Sequence, residues 1–517
     1  MVSGKVVGAP EDLRLAELMA ALSLATDLGM GQPMEQALRT CLIALGVGER
    51  LHLDSEQLGE VYYVALLRFL GCTADAHEMA EMAGGDEIAL RAAIAPVLGG
   101  KPGEFAFHVM PRVAVEHGPI RRARLVAGMI SGGQARAREG ARAHCELAEN
   151  LAQRLLLPEG VRAGLAAAFE QWNGQGLPNG TAGDAIPLSS RIVFVARDLE
   201  VLHRQGGIDR AESAVRSRRG VAYDPTVAEA FLAGATEILA QADATSPWDE
   251  VLSREPEPRP WVPDSRLDSV LGVFADFVDF KSPFTAGHSR EVSVLASAAG
   301  TKEAADLGRA ALLHDLGRSS VPNGIWDKRG ALTDGEWERV RLHPYYSERI
   351  VGRVQALQGL ATVVGMHHER LDGSGYHRGS SRGEIPSTTR VLAAADAYQA
   401  MTQPRPHREA LAPERAAHEL EAMARAGRLD GEAVQGVLTA AGHRAKPSHT
   451  AWPAGLSERE VEVLRLICRG GTKKQVASLL SISPSTVDHH VRHIYDKAGV
   501  QTRVGATLFA LEHDLLK

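Results

Sequence analysis

An adjacent histidine and aspartate, His314 and Asp315, lie inside an apolar run from Ala311 to Gly317. A fold that buries this pair has to neutralise it, because an unpaired buried charge is costly. The pair is therefore expected to bind other charged groups or a metal ion. The residues that could join it are His288, His343, His367, His368 and Asp396. Nitrogen and oxygen ligands of this kind, without cysteine, suit iron or manganese, and zinc is also compatible.

The segments around these residues resemble the HD-GYP family of metal-dependent phosphohydrolases, a branch of the HD superfamily. The similar segments are AGHSREV at His288, ALLHDLGR at His314, RLHP at His343, HHERLDGSGY from His367 and AAADAYQAMTQPRPHR from Ala393. The resemblance covers roughly residues 265–440. The resemblance implies an all-α fold that holds two, sometimes three, metal ions. It also implies cleavage of cyclic dinucleotides, chiefly cyclic di-GMP.

Two cations a few ångströms apart can bridge a hydroxide and stabilise the transition state of phosphodiester cleavage. The resemblance makes Asp315 the carboxylate that bridges both metals and, with Arg318, a catalytic residue. It assigns one metal to His288, His314 and Asp396, and the other to His343, His367 and His368. The substrate is expected to meet Gly373, Gly375 and Tyr376 at the lip of the site, and Arg405 and Arg408, whose guanidinium groups suit phosphates.

The sequence departs from the family pattern at four positions. His377 replaces the proline that ends the GYP triplet, and Arg318 replaces a lysine. Phe284 stands where some members have a glutamate that binds a third metal, and His407 replaces a tyrosine between the two arginines. We therefore expect two metal ions. Activity is expected to be retained, at a rate that depends on how well Arg318 replaces lysine.

Residues 454–517 carry a separate pattern of four short helices. Ser457 and Glu460 have capping-box spacing, as do Thr472 and Gln475, and Pro484 is a favourable first residue of a helix. This arrangement resembles the LuxR/NarL-type helix–turn–helix domain, through the segments LSEREVEVLRLICRG and KKQVASLLSISPSTVDHHVRHIYDKAGV. The resemblance implies that the helix after Pro484 enters the major groove of double-stranded DNA.

Within that helix, Val487, Val491 and Ile494 recur at helical spacing and should face the core. The resemblance places Asp488, His489 and Arg492 toward the bases, and Ser485, Thr486 and Lys497 toward phosphates. From Trp452 onward, nine Lys/Arg stand against seven Asp/Glu. Because so small a positive excess binds DNA weakly, we expect the protein to act as a homodimer.

The first 244 residues resemble a degenerate copy of the metal-binding domain. ALLRFLG at Ala65–Gly71 aligns with ALLHDLG at Ala311–Gly317, so that Arg68 and Phe69 replace the histidine and the aspartate. Trp172–Gly180 aligns with Leu371–Gly379 at an offset of 199, and 47 extra residues separate the two aligned blocks of the first copy.

The offset of 199 identifies the residues of the first copy that stand opposite the other predicted metal ligands. Ala168, Phe169 and Arg197 stand opposite His367, His368 and Asp396, and His144 stands opposite His343. The position opposite His288 is expected near Gln32–Met34, where there is no histidine. This copy is therefore predicted to bind no metal. It either binds an anionic or nucleotide-like effector through Arg68 and Arg197, or serves as a scaffold that supports dimerisation.

The chain has 517 residues and a net charge of −7, so DNA binding must be confined to the C-terminal module. The predicted order is a degenerate HD-like domain at 1–244, a linker at 245–264, the metal-binding domain at 265–441, a linker at 442–453 and the DNA-binding domain at 454–517. No stretch approaches the ~20 apolar residues of a membrane span, and no signal peptide is evident. Four cysteines without CxxC spacing indicate reduced thiols in a cytoplasmic protein.

These features predict a one-component transcriptional regulator. A cyclic dinucleotide would bind the second HD domain, change the dimer geometry of the C-terminal helices and then be hydrolysed. One alternative is a non-hydrolytic sensor that uses the metal site only for binding. Another is an enzyme whose helix–turn–helix merely localises it.

Overall fold

The computed structural model describes residues 13–97, 102–115, 118–243, 245–300, 303–443, 452–468 and 471–500, and residues 506, 509, 510, 513 and 515. The chain divides into two compact units, Met1–Arg444 and Ala445–Lys517. Helices dominate both units, which confirms the predicted all-α fold. The described strands, β1 (Leu13–Arg14) and β2 (Trp261–Val262), form one short antiparallel pair.

The helices of the larger unit fall into two successive groups that follow the two copies. The first group is α1 (Leu15–Gly29), α2 (Gln36–Arg50), α3 (Ser55–Leu67), α4 (Ala76–Ala83), α5 (Glu87–Ile94), α6 (Pro102–Val109), α7 (Pro119–Arg154), α8 (Glu159–Ala166), α9 (Leu188–Arg218), α10 (Pro225–Leu232), α11 (Ala235–Ala242) and α12 (Pro247–Ser253). The second group is α13 (Asp264–Asp279), α14 (His288–Ala299), α15 (Ala304–Leu313), α16 (Asn323–Trp326), α17 (Asp334–Arg341), α18 (His343–Val351), α19 (Gln358–Gly365), α20 (Ser387–Thr402), α21 (Pro413–Arg425) and α22 (Gly431–Ala440). Short 3₁₀ turns lie at Ala95–Val97, Met110–Arg112, Gly183–Ala185, Leu316–Ser320 and Gln355–Leu357.

The loop after the paired histidine positions has the same construction in both copies. Each loop folds around a buried glutamate whose two oxygens accept backbone N–H groups. Glu170 accepts from Asn179 and Thr181 at 2.8 and 2.9 Å, and Glu369 accepts from Arg378 and Ser380 at 2.7 and 2.9 Å. All three pairs of positions are 199 residues apart, so the first copy keeps the backbone design of the second.

The start of the second helix corrects one predicted position. α2 begins at Gln36 and α14 at His288, and each follows a residue with a left-handed backbone, Glu35 (φ 77°) and Gly287 (φ 76°). Gln36 therefore stands opposite His288, and the expected position near Gln32–Met34 was wrong. The turns before α2 and α14 differ too much in sequence to be aligned by a shared motif, so the sequence could not show which residue stands opposite His288.

The segment 245–264, predicted as a linker, is folded against the first copy. Its helix α12 buries Trp248 and Val251, and β2 pairs with β1 at the start of the chain. Arg14 also forms an ion pair with the buried Glu255. One hydrophobic core runs through both copies, so the two copies behave as one packed body.

The smaller unit contains α23 (Glu458–Cys468), α24 (Lys473–Leu479) and α25 (Pro484–Ala498), after a 3₁₀ turn at Pro453–Gly455. Thr472 and Gln475 form the predicted capping box, and Val487 and Ile494 are buried as predicted. The fourth predicted helix falls on a stretch of which only a few residues are described. Most of the predicted linker 442–453 also lies outside the described residues.

Among the described helices, none combines the length and the apolar character that crossing a bilayer requires. Cys41, Cys72 and Cys145 are buried free thiols, and Cys468 is a partly exposed one.

A close glycine contact gives the first testable prediction. A Cβ on Gly317 would lie 2.0 Å from the carbonyl oxygen of His343, and one on Gly71 would lie 1.9 Å from that of His144. We expect Gly317→Ala to lower the free energy of unfolding by about 3 kcal/mol. The added Cβ would meet a main-chain carbonyl oxygen, which can move only if the backbone moves. Thermal unfolding measures the change.

Gly335→Ala is the matched control, because nothing lies within 4 Å of a Cβ at that helical position. It should leave stability unchanged or raise it slightly. Equal unfolding midpoints for the two variants would contradict the packing argument.

Candidate functional site

Seven predicted ligands come together at the centre of the second copy, although they span more than a hundred residues of sequence. His288 begins α14, His314 and Asp315 follow α15, His343 begins α18, His367 and His368 follow α19, and Asp396 lies within α20. All are buried except His368, which is partly exposed.

The ligands form two groups that meet at one carboxylate. The ligand atoms of His288, His314 and Asp396 lie within 4.8 Å of one another, as do those of His343, His367 and His368. One oxygen of Asp315 lies 3.6 and 3.4 Å from Nε2 of His288 and His314. Its other oxygen lies 3.5 and 3.8 Å from Nε2 of His343 and His367. A carboxylate in this position can reach both groups at once.

The orientation of three histidines suits metal binding. The Nδ1 groups of His314, His343 and His367 contact the carbonyl oxygens of the residues three positions earlier, at 2.7, 2.6 and 2.6 Å. A proton on Nδ1 leaves the lone pair of Nε2 facing the centre, as in metal-ligating histidines generally. Nε2 of His314 is buried without a hydrogen-bond partner among the described residues. The donor set therefore fits divalent metal ions that accept nitrogen and oxygen.

Burial and neighbouring charge set the protonation states of the centre. Burial lowers the pKa of the fully buried His343 to about 3, and the surroundings of the partly exposed His368 lower its pKa as well, so both imidazoles are neutral at neutral pH. Burial alone would raise the pKa of Asp315, but Arg318 and the surrounding histidines hold that pKa well below its usual value. Neutral imidazoles and ionised carboxylates are the forms that bind metal.

Arg318 lies directly against the shared carboxylate. Its Nη1 donates to Asp315 at 2.6 Å, and its guanidinium stacks over the ring of Trp326 at 4.2 Å. Trp326 also contacts the ring of His343 edge-on at 5.6 Å. The stacking holds the planar guanidinium in place, which a lysine in this position could not reproduce.

A cavity of ≈590 Å³ opens beside the centre. Its lining includes Asp315, Arg318, His368, Tyr376 and Arg405. This volume lies within the range of small-molecule sites.

The predicted lip residues have distinct places around this cavity. Tyr376 lines it and contacts the ring of His368 at 4.8 Å. Gly373 has a left-handed backbone in the turn before it (φ 77°). A Cβ on Gly375 would lie 2.4 Å from the backbone nitrogen of Arg370. The glycines therefore shape the loop that carries the tyrosine.

The two predicted phosphate-binding arginines differ in how many hydrogen bonds their guanidinium groups already donate to the protein. Arg408 donates to the carbonyl oxygens of Met401, Gln403 and Glu409 at 3.0–3.3 Å, and also to that of Ala400. Its guanidinium therefore ties together the end of α20. Arg405 donates to the carbonyl of Phe284 at 3.2 Å, and both arginines line the cavity. Arg405 has more donors left for a ligand.

Gln399 is a contributor that the sequence reasoning missed. Its side-chain oxygen accepts a hydrogen bond from Nδ1 of His288, and its side-chain nitrogen donates to Glu291 at 2.6 Å. It lies three residues after Asp396, one turn along the same face of α20. That spacing was the only signal available in the sequence.

The first copy packs against a segment beside this site, which the sequence did not indicate. Glu87 pairs with the buried Lys281 at 2.5 Å and accepts the backbone N–H of Asn323 at 3.0 Å. His77 contacts Asp327 at 2.9 Å. These contacts hold the segment that carries Trp326 and Asp327, which line the cavity, while Glu87 and His77 themselves do not line it.

The predicted DNA-contacting residues all lie on or beside α25. Ser485, Thr486, His489 and Arg492 are exposed. Asp488 forms ion pairs with Lys473 and, at 3.2 Å, with Arg492. Lys497 pairs with the buried Glu460 at 2.7 Å, so its ammonium group already has a partner within the module.

Comparison with known proteins identifies related sequences for both units. The HD domain family matches residues 130–227 and 272–433, and the bacterial regulatory protein family luxR matches residues 454–510. The match at 130–227 supports the interpretation of the first copy as a degenerate HD domain.

Individual relatives cover different shares of the chain. The 3′3′-cGAMP-specific phosphodiesterase 3 of Vibrio cholerae is 33% identical over 406 residues, which are 77% of this chain and 88% of the relative. The cyclic di-GMP phosphodiesterase of Thermotoga maritima is 40% identical over 116 residues, 22% of this chain and 32% of that protein. A crystal structure of a cyclic GMP-AMP-specific phosphodiesterase of V. cholerae superposes with a TM-score of 0.58 at 28% identity, covering 84% of this chain and 98% of that one.

The shared carboxylate gives a prediction about metal content. Because Asp315 faces both ligand groups, Asp315→Ala should lower bound manganese or iron at least about tenfold. Elemental analysis of the purified protein measures it. Asp306→Ala, an exposed position in α15, should retain its metal. Equal metal content in the two variants would contradict the shared-ligand arrangement.

Proposed function

Because the chain belongs to the HD-domain family of phosphohydrolases and carries a LuxR-family helix–turn–helix, we propose that it hydrolyses a cyclic dinucleotide and couples that ligand to DNA binding. The observation that carries the proposal is Asp315, whose two oxygens face two histidine-containing groups at the edge of a cavity. Such an arrangement suits cleavage of a phosphodiester.

The proposed centre holds two divalent metals, with iron or manganese favoured and zinc also compatible. His288, His314 and Asp396 would hold one, His343, His367 and His368 the other, and Asp315 both. Metals bound there would polarise the phosphate and lower the pKa of a bound water.

The chain's own residues would position the substrate. Arg405 is buried enough that its pKa falls to about 10, so it stays charged at neutral pH and can donate to a phosphate oxygen. Tyr376 offers a ring face near His368 on which a base can stack. Arg318 balances the charge of Asp315 and keeps its guanidinium at the cavity wall.

The substrate we favour is 3′3′-cGAMP, with cyclic di-GMP as the second candidate. The V. cholerae relative named for 3′3′-cGAMP aligns over 406 residues, 77% of this chain, which is too long a match to exclude the first copy. The cyclic di-GMP phosphodiesterase of T. maritima aligns over a much shorter segment. Glu87 and His77 of the first copy support the segment that carries the cavity-lining residues Trp326 and Asp327, so a relative that shares this copy is the better guide to the substrate.

The regulatory part of the proposal rests on the second unit. Helix α25 presents exposed polar residues in the manner of a recognition helix, and a homodimer would place two such helices on successive half-sites. A non-hydrolytic sensor would bind the ligand with the same residues but release no product.

The direct test measures product formation. Protein loaded with manganese, or with iron under reducing conditions, should convert 3′3′-cGAMP to linear dinucleotide or mononucleotides that chromatography resolves. Asp315→Ala should reduce the rate on the order of 10³-fold, since it removes the ligand common to both groups. Asp306→Ala should match the wild type. Metal-loaded wild-type protein that leaves both cyclic dinucleotides intact would favour the sensor.

The ion pairs of Asp488 give a prediction for DNA binding. Asp488→Asn should free Lys473 and Arg492, which the carboxylate now neutralises. Affinity for duplex DNA should rise several-fold, and the salt dependence should steepen by about 0.9 for each cation that reaches a phosphate. Fluorescence anisotropy at several salt concentrations measures both.

Asp496→Asn, at an exposed position of the same helix, controls for the simple loss of a negative charge. If both variants bind DNA equally, the local ion pairs of Asp488 do not limit binding.

A further inference from the structure

The centre of the first copy reverses the charge of the catalytic centre. In the second copy the carboxylates Asp315 and Asp396 stand among histidines, and the arrangement calls for cations. In the first copy the equivalent positions hold Phe69 and Arg197, and Arg68 stands where His314 would be. A fold that once balanced negative charge with cations now buries positive charge.

Arg68 is the main source of that charge. It is 1% exposed, and its three nitrogens have no hydrogen-bond acceptor among the described residues. Burial lowers the pKa of Arg68 to about 9, so it remains protonated at neutral pH. A buried guanidinium without acceptors is strongly unfavourable, and buried charges are normally paired.

The surrounding acids do not supply the missing partner. The buried carboxylate of Asp198 is bound to other groups. Its oxygens accept hydrogen bonds from Arg197 at 2.8 Å, from Arg218 at 2.9 Å and from the hydroxyl of Tyr223 at 2.7 Å. Nε of Arg197 is also buried without an acceptor among the described residues. Arg197 and Arg218 therefore share Asp198, and Arg218 also pairs with Glu104 at 3.3 Å, while no carboxylate of the described residues contacts Arg68.

Three phenylalanine rings and one neutral histidine also lie close to Arg68. The rings of Phe69, Phe169 and Phe194 lie 5.6, 5.5 and 5.2 Å from its Cζ. Burial lowers the pKa of His144 to about 3, so its imidazole is neutral. Cation–π contacts favour the charge but do not accept its N–H groups.

We propose that the first copy binds a small inorganic anion, chloride under ordinary conditions, beside the guanidinium of Arg68. An anion accepts hydrogen bonds from the N–H groups of Arg68 and also neutralises its positive charge. A water molecule can accept those hydrogen bonds but carries no charge. Because Arg68 is 1% exposed and three phenylalanine rings lie within 5.6 Å of its Cζ, a nucleotide would have to displace buried side chains, so the proposed anion is small. The degenerate copy is then an anion site built on a metal-site fold.

The first test compares unfolding in two sodium salts at equal ionic strength. Full-length protein should unfold about 2–6 °C higher in saturating chloride than in gluconate, because a ligand that binds only the folded state raises its stability. Arg68→Met should lose this difference, and Arg138→Met, at an exposed position of α7, should keep it. Equal midpoints for the wild type in the two salts would overturn the proposal.

The second test does not depend on a variant that folds. Crystals of the wild-type protein grown in sodium bromide should show an anomalous bromide peak beside Arg68. An ordinary water at that position overturns the proposal. Stabilisation by phosphate without any effect of halide also overturns it, because the site would then select an oxyanion.

Discussion

The arrangement of the second copy depends on one buried carboxylate. Asp315 lies between two groups of histidines and against Arg318, at distances of 2.6–3.8 Å. Such a group is tolerable in an apolar interior only if its charge is balanced. The helices that bring the histidines to it, the carbonyl oxygens that orient their rings and the tryptophan that holds the arginine all serve that balance.

The first copy shows what the same fold does when that carboxylate is lost. Its glutamate-centred loop and its close glycine contact persist, at Glu170 and Gly71, while the ligand positions have become Arg68, Phe69 and Arg197. The backbone framework therefore does not depend on the metal ligands. What differs is the sign of the buried charge, and Glu87 of the first copy also supports a loop of the second copy through Lys281 and Asn323.

Much of the fold and of the candidate site was predictable because its signals are local. The His-Asp pair in an apolar run, the capping boxes at Ser457 and Thr472 and the repeated ALLxxLG segment are each readable within a few residues. The register of Gln36 was mistaken because its turn carries no such signal. Arg408 and Lys497 were assigned to phosphates by family position, but their carbonyl and carboxylate partners become visible only after folding.

The sequence by itself determined the helical fold, the duplication and the chemistry of the ligand set, because residue type and spacing carry that information. Only the tertiary structure decided which oxygen of Asp315 faces which histidines, how Trp326 fixes Arg318 and how the first copy supports the segment that carries Trp326. These are contacts between residues far apart in the chain. They depend on how helices pack, and packing is decided by the complementarity of whole surfaces rather than by any local pattern.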